Sequence, residues 1–371
     1  MTYKETLFFV AKCLTINHEV HNRSIVEQTL QSKTVDWDEV VKLSTAHFVF
    51  PALYCNLKRA SFLAYLPKDL VDYMKYITDL NRKRNEEIIA QAKELNTLLL
   101  EHNITPIFLK GTGNLLEGLY EDIAERMVGD IDFICSQKDF YKAVKILKSF
   151  EYFSDIEISY LYPGTKHYPR LKNHNKISAV EIHQYLMKFG KYFRDFDYNY
   201  IRRDLQTIDK VNVLSFKNQL SLSIVASQIN DLGFEYKSLA LRNAYDVFLL
   251  SKKTRAKNAF LKLNNLKHPL NCFLASCFEV FNKPKTLEYN TSKKIENYLI
   301  LFYKYINNRE LAHRIQKKHP RKKNNRIIIL SRFKMIWNSF FYKEYRNWLI
   351  NCITNKNWRK EKLIQLGIKK P

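Results

Sequence analysis

Glycine is scarce in this sequence, and its distribution is uneven. The 371 residues contain eight glycines, of which four (Gly111, Gly113, Gly118 and Gly129) fall within residues 110–133. A chain with so few glycines has few positions where the backbone can approach a ligand closely at no steric cost. Their concentration in one stretch indicates a candidate binding site there.

Long apolar runs and clustered cysteines are also missing. No stretch of about 18 uncharged apolar residues occurs, so a membrane-spanning helix is not expected. The N-terminal residues lack an apolar core and a small-residue cleavage site, which argues against a secretory signal. The six cysteines are scattered, and the close pair Cys272 and Cys277 has no second pair at zinc-binding spacing. We therefore expect reduced thiols in a cytoplasmic protein.

Acidic residues are nearly absent from the last third of the chain. Residues 252–371 hold 29 Lys and Arg against 6 Asp and Glu, whereas residues 1–251 hold 32 against 31. A compositional bias of the whole chain would be spread evenly. The net charge of +24 therefore belongs almost entirely to a distinct basic unit.

The spacing of apolar residues divides the chain into three segments. Residues 1–103 and 216–371 repeat apolar residues every three or four positions, the pattern of amphipathic helices. Residues 104–215 contain short apolar runs bounded by Pro and Gly, which is typical of buried strands. We expect an α+β protein with a small mixed β-sheet core, flanked by an N-terminal helical domain and a C-terminal helical domain that is strongly basic from residue 252.

Two carboxylates follow the glycine-rich stretch. Asp130 and Asp132 alternate in a predicted strand with Ile131 and Phe133, so both acids point to one face and the apolar residues to the core. Carboxylates on one face repel each other unless a cation lies between them, and hard oxygen ligands suit Mg²⁺. Glu181 in SAVEIHQYL is the best-placed third carboxylate. A solvated strand edge is the alternative, but the apolar neighbours and the second acidic strand favour a metal site.

The sequence KGTG precedes these acids at the end of a predicted strand. Lys110, Gly111, Thr112 and Gly113 would begin a helix with accessible backbone N–H groups, which is a ready anion site. The lysine and the threonine hydroxyl would add contacts to a triphosphate. The Walker order is absent, and KGTG alone is more often a tight turn; its place ahead of two acids favours the phosphate role.

Together these motifs resemble the DNA polymerase β-type nucleotidyltransferase superfamily, in which a strand, a Gly-containing phosphate turn, a helix and a D-x-D strand precede a third carboxylate. The ordered pattern LKG…Y…R…GDIDF…HYP…VEIH is similar to an uncharacterised bacterial branch of that superfamily. The resemblance runs over about residues 46–250 and leaves out the basic C-terminal segment.

The resemblance implies a reaction. Asp130, Asp132 and Glu181 would hold two Mg²⁺ ions, with Mn²⁺ as an alternative, and transfer a nucleoside monophosphate from an NTP such as ATP to an acceptor hydroxyl with release of pyrophosphate. Gly111 and Thr112 would cradle the β- and γ-phosphates. The acceptor is left open among RNA, protein, glycan and small molecule.

Three further residues have supporting roles in this resemblance. Arg126 would either reach a phosphate or brace the acidic strand, since its guanidinium makes bidentate contacts. His183 shares a strand face with the third carboxylate and would hydrogen-bond a ligating carboxylate. His167 would line the acceptor side. The phosphate turn departs from the superfamily's usual Gly-Gly or Gly-Ser, since this chain has Gly-Thr.

The basic segment has three interpretations. Residues 313–326 (HRIQKKHPRKKNNR) form a dense positive run, and large apolar residues follow at helical spacings: Leu330, Phe333, Trp337, Phe340 and Phe341. The segment would bind nucleic acid such as tRNA, lie on an anionic membrane surface, or form a helical cap whose aromatic stripe packs on the catalytic domain.

Two functions compete with the enzyme. One is a catalytically inactive binding module that keeps the nucleotidyltransferase fold and uses its basic region for nucleic acid or an anionic membrane surface. The other is a protein-interaction partner. Retention of three carboxylates together with Lys110 and Gly111 favours the enzyme over both.

Overall fold

The computed structural model describes residues 1–156, 161, 164–187, 195–356 and 359–360, without the side chains of 318–332, 334, 344 and 352. The helices before the sheet are α1 (Tyr3–Cys13), α2 (Val20–Gln31), α3 (Trp37–Ala46), α4 (Phe50–Arg59) and α5 (Lys68–Glu101). Within the sheet region lie α6 (Lys110–Glu117), α7 (Phe140–Ser149) and α8 (Tyr198–Ile201). After it come α9 (Phe216–Val225), α10 (Gly233–Tyr236), α11 (Leu241–Ser251), α12 (Lys267–Val280), α13 (Lys293–Asn307), α14 (Arg309–Phe341) and α15 (Lys343–Thr354).

The strands form one mixed sheet. They are β1 (Ile107–Phe108), β2 (Ile131–Ile134), β3 (Val180–His183), β4 (Leu205–Ile208) and β5 (Val211–Leu214), in the order β3-β2-β1-β5-β4. Strand β2 is parallel to β3 and antiparallel to β1, β1 is parallel to β5, and β4 and β5 are antiparallel. A mixed sheet among helices confirms the predicted α+β class. The domain boundaries at residues 103 and 215 stay predictions.

One continuous apolar core joins the helices on both sides of the sheet, with buried residues from Leu7 in α1 to Ile306 in α13. Polar contacts cross the same interface. Asn22 of α2 donates to the carbonyl of Phe281 at 2.9 Å, and Asn56 of α4 donates to the Tyr245 hydroxyl of α11 at 3.1 Å. The helical segments before and after the sheet therefore pack against each other and enclose it.

The C-terminal helices α14 and α15 form a hairpin. Asn338, Tyr345 and Trp348 are buried in this part of the chain, and the Arg346 guanidinium donates to the carbonyl of Phe340 at 3.1 Å, near the end of α14. Across the part of the chain that the structure describes, no helix has both the length and the apolarity needed to cross a membrane.

Candidate active site

The register of the two central strands brings the predicted acids together. Asp132 of β2 lies directly opposite Glu181 of the parallel strand β3, and each is 7% exposed. The alternating residues Ile131 and Phe133 are fully buried, as the period of two predicts. Asp130 lies immediately before β2 and is less buried. The fold thus places three carboxylates at one end of β2 and β3.

Two cations neutralise these carboxylates. The Lys110 ammonium donates to Asp132 Oδ1 at 2.5 Å and lies 3.9 Å from Glu181 Oε2. The Arg170 guanidinium bridges the other pair, with contacts of 2.8 Å to Asp130 Oδ2 and 3.1 Å to Glu181 Oε1. Arg170 has no role in the sequence motif, although it follows the HYP element directly. It joins the first and third acids through one side chain.

His183 adds an imidazole to the acidic cluster. Its Nε2 lies 2.7 Å from Asp132 Oδ1 and 3.7 Å from Glu181 Oε2, and its Nδ1 lies 3.2 Å from the Tyr185 carbonyl oxygen. One ligand atom from each of Asp132, Glu181 and His183 falls within 4.8 Å of the others. Two carboxylates and an imidazole at this separation are a donor set that fits one divalent cation.

Burial and charge act in opposite directions on the acids. Burial alone would raise the pKa of Asp132, but the ammonium of Lys110 and the His183 ring outweigh it and hold that pKa well below its usual range. Burial is likewise outweighed at Glu181, where the nearby His183 ring contributes to lowering the pKa to about 2. At Asp130 burial prevails over the attraction of Arg170, so its pKa is raised. Asp132 and Glu181 are therefore anionic at neutral pH.

The KGTG turn begins α6, as the sequence predicts, but its residues face different surroundings. Lys110 has a left-handed φ of 53°, a conformation that costs a non-glycine residue energy and is concentrated at functional sites. Lys110 and Gly111 line the cleft in front of the acids. A Cβ on Gly113 would lie 2.8 Å from the Phe108 carbonyl oxygen, and Thr112 is buried and donates to the Asp130 carbonyl at 3.2 Å. Those last two positions hold α6 close to β1 and β2, and a nucleotide contact by them stays a prediction.

Arg126 is a buried brace. Its Nε lies 3.0 Å from Asp246 Oδ1 of α11, and its other guanidinium nitrogen donates to the Met127 carbonyl at 2.8 Å. Asp246 also accepts a hydrogen bond from the Tyr120 hydroxyl at 2.7 Å. Of the two roles expected for Arg126, these contacts correspond to bracing the segment that leads into β2.

Buried amides of the long helix α5 hold the loops that lead into both acidic strands. Asn81 donates to the Ala124 carbonyl at 2.7 Å and Asn85 to the Arg126 carbonyl at 2.7 Å. Gln91, two turns further along, donates to the Ser178 carbonyl at 2.9 Å, just before β3. Buried backbone groups need such partners, so polar residues on an otherwise apolar helix face set where β2 and β3 begin.

The acids open onto a cleft of about 570 Å³ that cationic side chains also line. Arg84, Lys166 and Arg242 line it. The Arg242 Nε is buried and has no hydrogen-bond partner among the described residues, and its guanidinium lies 4.9 Å from the ring centroid of Phe48, which also lines the cleft. The sequence motifs include none of these cations.

Burial lowers the pKa of two of these cations, Arg242 and Lys166. At Arg242 burial is the largest cause, followed by the nearby guanidinium of Arg126. At Lys166 burial again comes first, followed by repulsion from Lys110. A cation that burial and like charges disfavour is stabilised by an anionic ligand. The cleft therefore combines acids suited to a metal ion with cations suited to phosphate.

His167 lies at the margin of the acid cluster. Its Nδ1 is 2.8 Å from the carbonyl oxygen of Tyr168, and its Nε2 is 3.8 Å from Glu181 Oε2. Burial lowers the pKa of His167, so the ring is neutral at physiological pH. It lines the same cleft as the acids, and a contact with the acceptor stays a prediction.

Comparison with known proteins places the chain in a family. A family model described as "Uncharacterised nucleotidyltransferase" matches residues 33–281. Because this match spans well over half of the chain, the protein belongs to that nucleotidyltransferase family. The matched region includes the whole sheet and all three acids, and ends before α13, α14 and α15.

Structural relatives are distant. JHP933 from Helicobacter pylori has 15% sequence identity and a TM-score of 0.31, over 64% of this chain and 94% of that chain. A candidate nucleotidyltransferase from H. pylori has 16% identity and a TM-score of 0.26, over 57% of this chain and 98% of that chain. No curated protein matches the sequence.

Proposed function

We propose that this protein is a Mg²⁺-dependent nucleotidyltransferase that transfers a nucleoside monophosphate from an NTP to an acceptor hydroxyl and releases pyrophosphate. The observation that carries the proposal is the cross-strand pair of Asp132 and Glu181, which lines the same cleft as the cations Lys166 and Arg242. Acids and cations in one cleft match the two parts of a metal–triphosphate complex.

The carboxylates of the cleft would hold the metal. Asp132 and Glu181 would contribute oxygens, with His183 as a nitrogen donor or as the partner that orients Asp132, and Asp130 would join once Arg170 releases it. Bound divalent ions would stabilise charge on the attacking and leaving oxygens of an in-line displacement. Glu181 would lie nearest the attacking hydroxyl. Lys110, displaced from Asp132, would have its ammonium free for a phosphate oxygen.

Two cations of the cleft, Arg242 and Lys166, would hold the leaving pyrophosphate. Arg242 offers a guanidinium that is partly desolvated and has a buried donor still to be satisfied, and guanidinium matches phosphate geometry in a bidentate manner. Lys166 lines the same cleft and would add a point charge. These two side chains would neutralise the negative charge that develops on the β- and γ-phosphates as the bond to the α-phosphorus breaks.

Nucleotide binding is tested by thermal unfolding with each of the four NTPs, in Mg²⁺ and in Mn²⁺. The wild-type protein is expected to gain stability with at least one NTP, in proportion to ligand occupancy. Asp132→Asn should lose the metal-dependent part of the gain, and Arg242→Met should lose the nucleotide-dependent part. Asp209→Asn, an exposed acid in the β4–β5 turn, is the matched control. If no NTP shifts the wild type in either metal, the proposed function is wrong.

The acceptor is found by labelling. Radiolabelled NTPs incubated with cell lysate and the purified protein should transfer label to RNA, protein, glycan or a small molecule, each separable by its sensitivity to nuclease, protease or glycosidase. Label that appears equally with Asp132→Asn would come from another enzyme.

One observation favours the second candidate, an inactive binding module. The Lys110 ammonium, 2.5 Å from Asp132, neutralises the acid pair without any metal. Mn²⁺ binding measured by calorimetry separates the two functions. An enzyme should bind Mn²⁺, and Lys110→Met should bind it more tightly because no ammonium then competes. A module whose lysine permanently replaces the metal would bind Mn²⁺ only as the Met variant.

A further inference from the structure

The far end of the C-terminal hairpin carries an exposed apolar stripe. Five large side chains of α14 are between 50% and 70% exposed: Phe333, Ile336, Trp337, Phe340 and Phe341. Their spacing of three and four residues places them on one face of the helix. Ile350 and Ile353 of α15 are similarly exposed. The interpretation that the aromatic stripe packs on the catalytic domain is therefore wrong for its members Phe333, Trp337, Phe340 and Phe341. The side chain of Leu330 lies outside the described residues.

The hairpin is attached to the body at its other end. The Arg309 guanidinium at the start of α14 lies 4.1 Å from the ring centroid of Tyr3 in α1, and Ala312 is buried. Helix α14 has 33 residues, a length of about 50 Å at about 1.5 Å per residue. The apolar stripe begins more than five turns beyond this attachment. An exposed patch of this size on a soluble surface indicates an interaction site.

The charge of the hairpin is predominantly positive. Helix α14 contains ten Lys and Arg residues and a single acid, Glu310. Lys317, Lys343 and Lys356 are exposed along the hairpin. Pairing this surface with a second copy of itself would bring two strongly positive surfaces together, which disfavours association. Charge complementarity requires an anionic partner.

Two anionic partners can be distinguished by the chemistry of the stripe. Single-stranded nucleic acids stack on separate aromatic rings set beside cations, a role that aromatic rather than aliphatic side chains fill. This surface combines Phe and Trp with isoleucines on both helices. A continuous apolar face bordered by Lys and Arg is the composition of helices that lie at a lipid interface.

We propose that the α14–α15 hairpin docks on an anionic membrane surface, with the stripe of Phe333, Ile336, Trp337, Phe340 and Phe341 inserted among the acyl chains near the headgroups and the basic side chains against them. This attachment is independent of the proposed activity. It would hold the candidate active-site cleft near a membrane surface.

Vesicle co-sedimentation of the full chain tests the proposal. The protein is expected to bind phosphatidylcholine vesicles that contain phosphatidylglycerol at least about tenfold more tightly than pure phosphatidylcholine, since each basic residue near the surface adds to the attraction. The triple variant Phe333→Ser/Trp337→Ser/Phe340→Ser should lose this binding. Tyr76→Ser/Ile300→Ser, which removes comparably exposed apolar side chains of α5 and α13, should keep it.

Two further measurements separate insertion from simple charge attraction. Tryptophan emission should shift to the blue on anionic vesicles, and Trp337→Phe should lose the shift while still binding. Lys343→Glu/Lys356→Glu should weaken binding to anionic vesicles and leave the thermal unfolding temperature unchanged. Equal binding to neutral vesicles, full binding by the triple variant, or stripe-dependent self-association or RNA binding in place of vesicle binding would overturn the proposal.

Discussion

The active-site cleft and the C-terminal hairpin are both rich in charge, yet they use it in opposite ways. In the cleft, the Lys110 ammonium lies within 4 Å of a carboxylate oxygen of both Asp132 and Glu181, and buried residues fix them. In the hairpin, cations outnumber acids and lie along an exposed helix. Charges that are buried with partners give geometry, whereas unbalanced exposed charges give attraction to whatever anion is near.

The same contrast holds for aromatic side chains. Phe133 follows the acidic motif Asp130-Ile-Asp132, and Phe340 follows the basic run of residues 313–326. Phe133 belongs to the acidic strand β2 and is fully buried, whereas Phe340 is 70% exposed. An aromatic residue next to a charged motif can therefore serve either stability or binding. The effect of each side chain on the free energy of unfolding distinguishes the two roles.

The largest expected effect concerns the buried brace. Arg126→Met should lower the free energy of unfolding by about 3–5 kcal/mol, because it leaves Asp246 buried without its cation. Lys343→Met in the hairpin should leave the unfolding temperature unchanged. Denaturant unfolding of the two variants side by side is the measurement. Equal effects at the two sites would remove the distinction between paired and unpaired charge.

The aromatic pair comes next. Phe133→Ala should lower the free energy of unfolding by about 3–5 kcal/mol, since it opens a cavity in a packed core. Phe340→Ala should change it by less than about 0.5 kcal/mol, as is usual for exposed positions. Chemical unfolding followed by circular dichroism measures both. A large loss at Phe340 would mean that the stripe is covered in the free protein.

A smaller effect is expected from the imidazole beside the acids. His183→Ala should weaken Mn²⁺ binding by about 10–100-fold, the range found when a group that supports metal ligands is removed. Calorimetry gives the affinity directly, and His313→Ala in α14 serves as the hairpin control with no change. Unaltered Mn²⁺ affinity in His183→Ala would separate this ring from the metal site.

The smallest effect concerns Glu117, a half-buried acid of α6 whose burial outweighs the attraction of Lys253. Burial raises the pKa of Glu117 from 4.5 to about 7, so the folded state retains a proton that the unfolded chain has released. This contribution to stability is full below pH 4.5 and is lost as pH rises through 7. Glu117→Gln should therefore raise the unfolding temperature at pH 8 relative to wild type.

The same variant should have little effect at pH 4, where Glu117 is protonated in both states. Glu310→Gln, an exposed acid of α14, should show no such difference between the two pH values. A Glu117→Gln gain that is equal at both pH values would mean that the carboxylate stays charged in the folded protein.

Local patterns predicted part of this site. The alternation in DIDF predicted which side chains are buried in β2, and VEIH predicted the partner strand, since both depend on a period of two that is written in consecutive residues. Local patterns did not predict the β4–β5 hairpin. Asp209 and Lys210 form its turn, and both adopt positive φ angles, of 49° and 67°, as a two-residue hairpin turn requires.

Partners distant in the chain were beyond such patterns. Arg170, Lys166 and Arg242 reach the cleft from segments that carry no recognisable spacing relative to the acids. Asp246, the partner of Arg126, is separated from it by 120 residues. Nothing local distinguishes a lysine or arginine that will be buried beside a carboxylate from one that will remain in solvent.

Three properties can be predicted from the amino-acid sequence alone: the strand alternation at the acids, the helical periodicity around the sheet and the separation of charge between the two parts of the chain. They are local or compositional, so they do not require knowledge of the fold. Tertiary packing is needed to show that Lys110 and Arg170 neutralise the acids, that Arg126 pairs with Asp246, and that the α14 stripe is exposed. Those outcomes depend on which distant surfaces meet, because burial and pairing are properties of the packed chain.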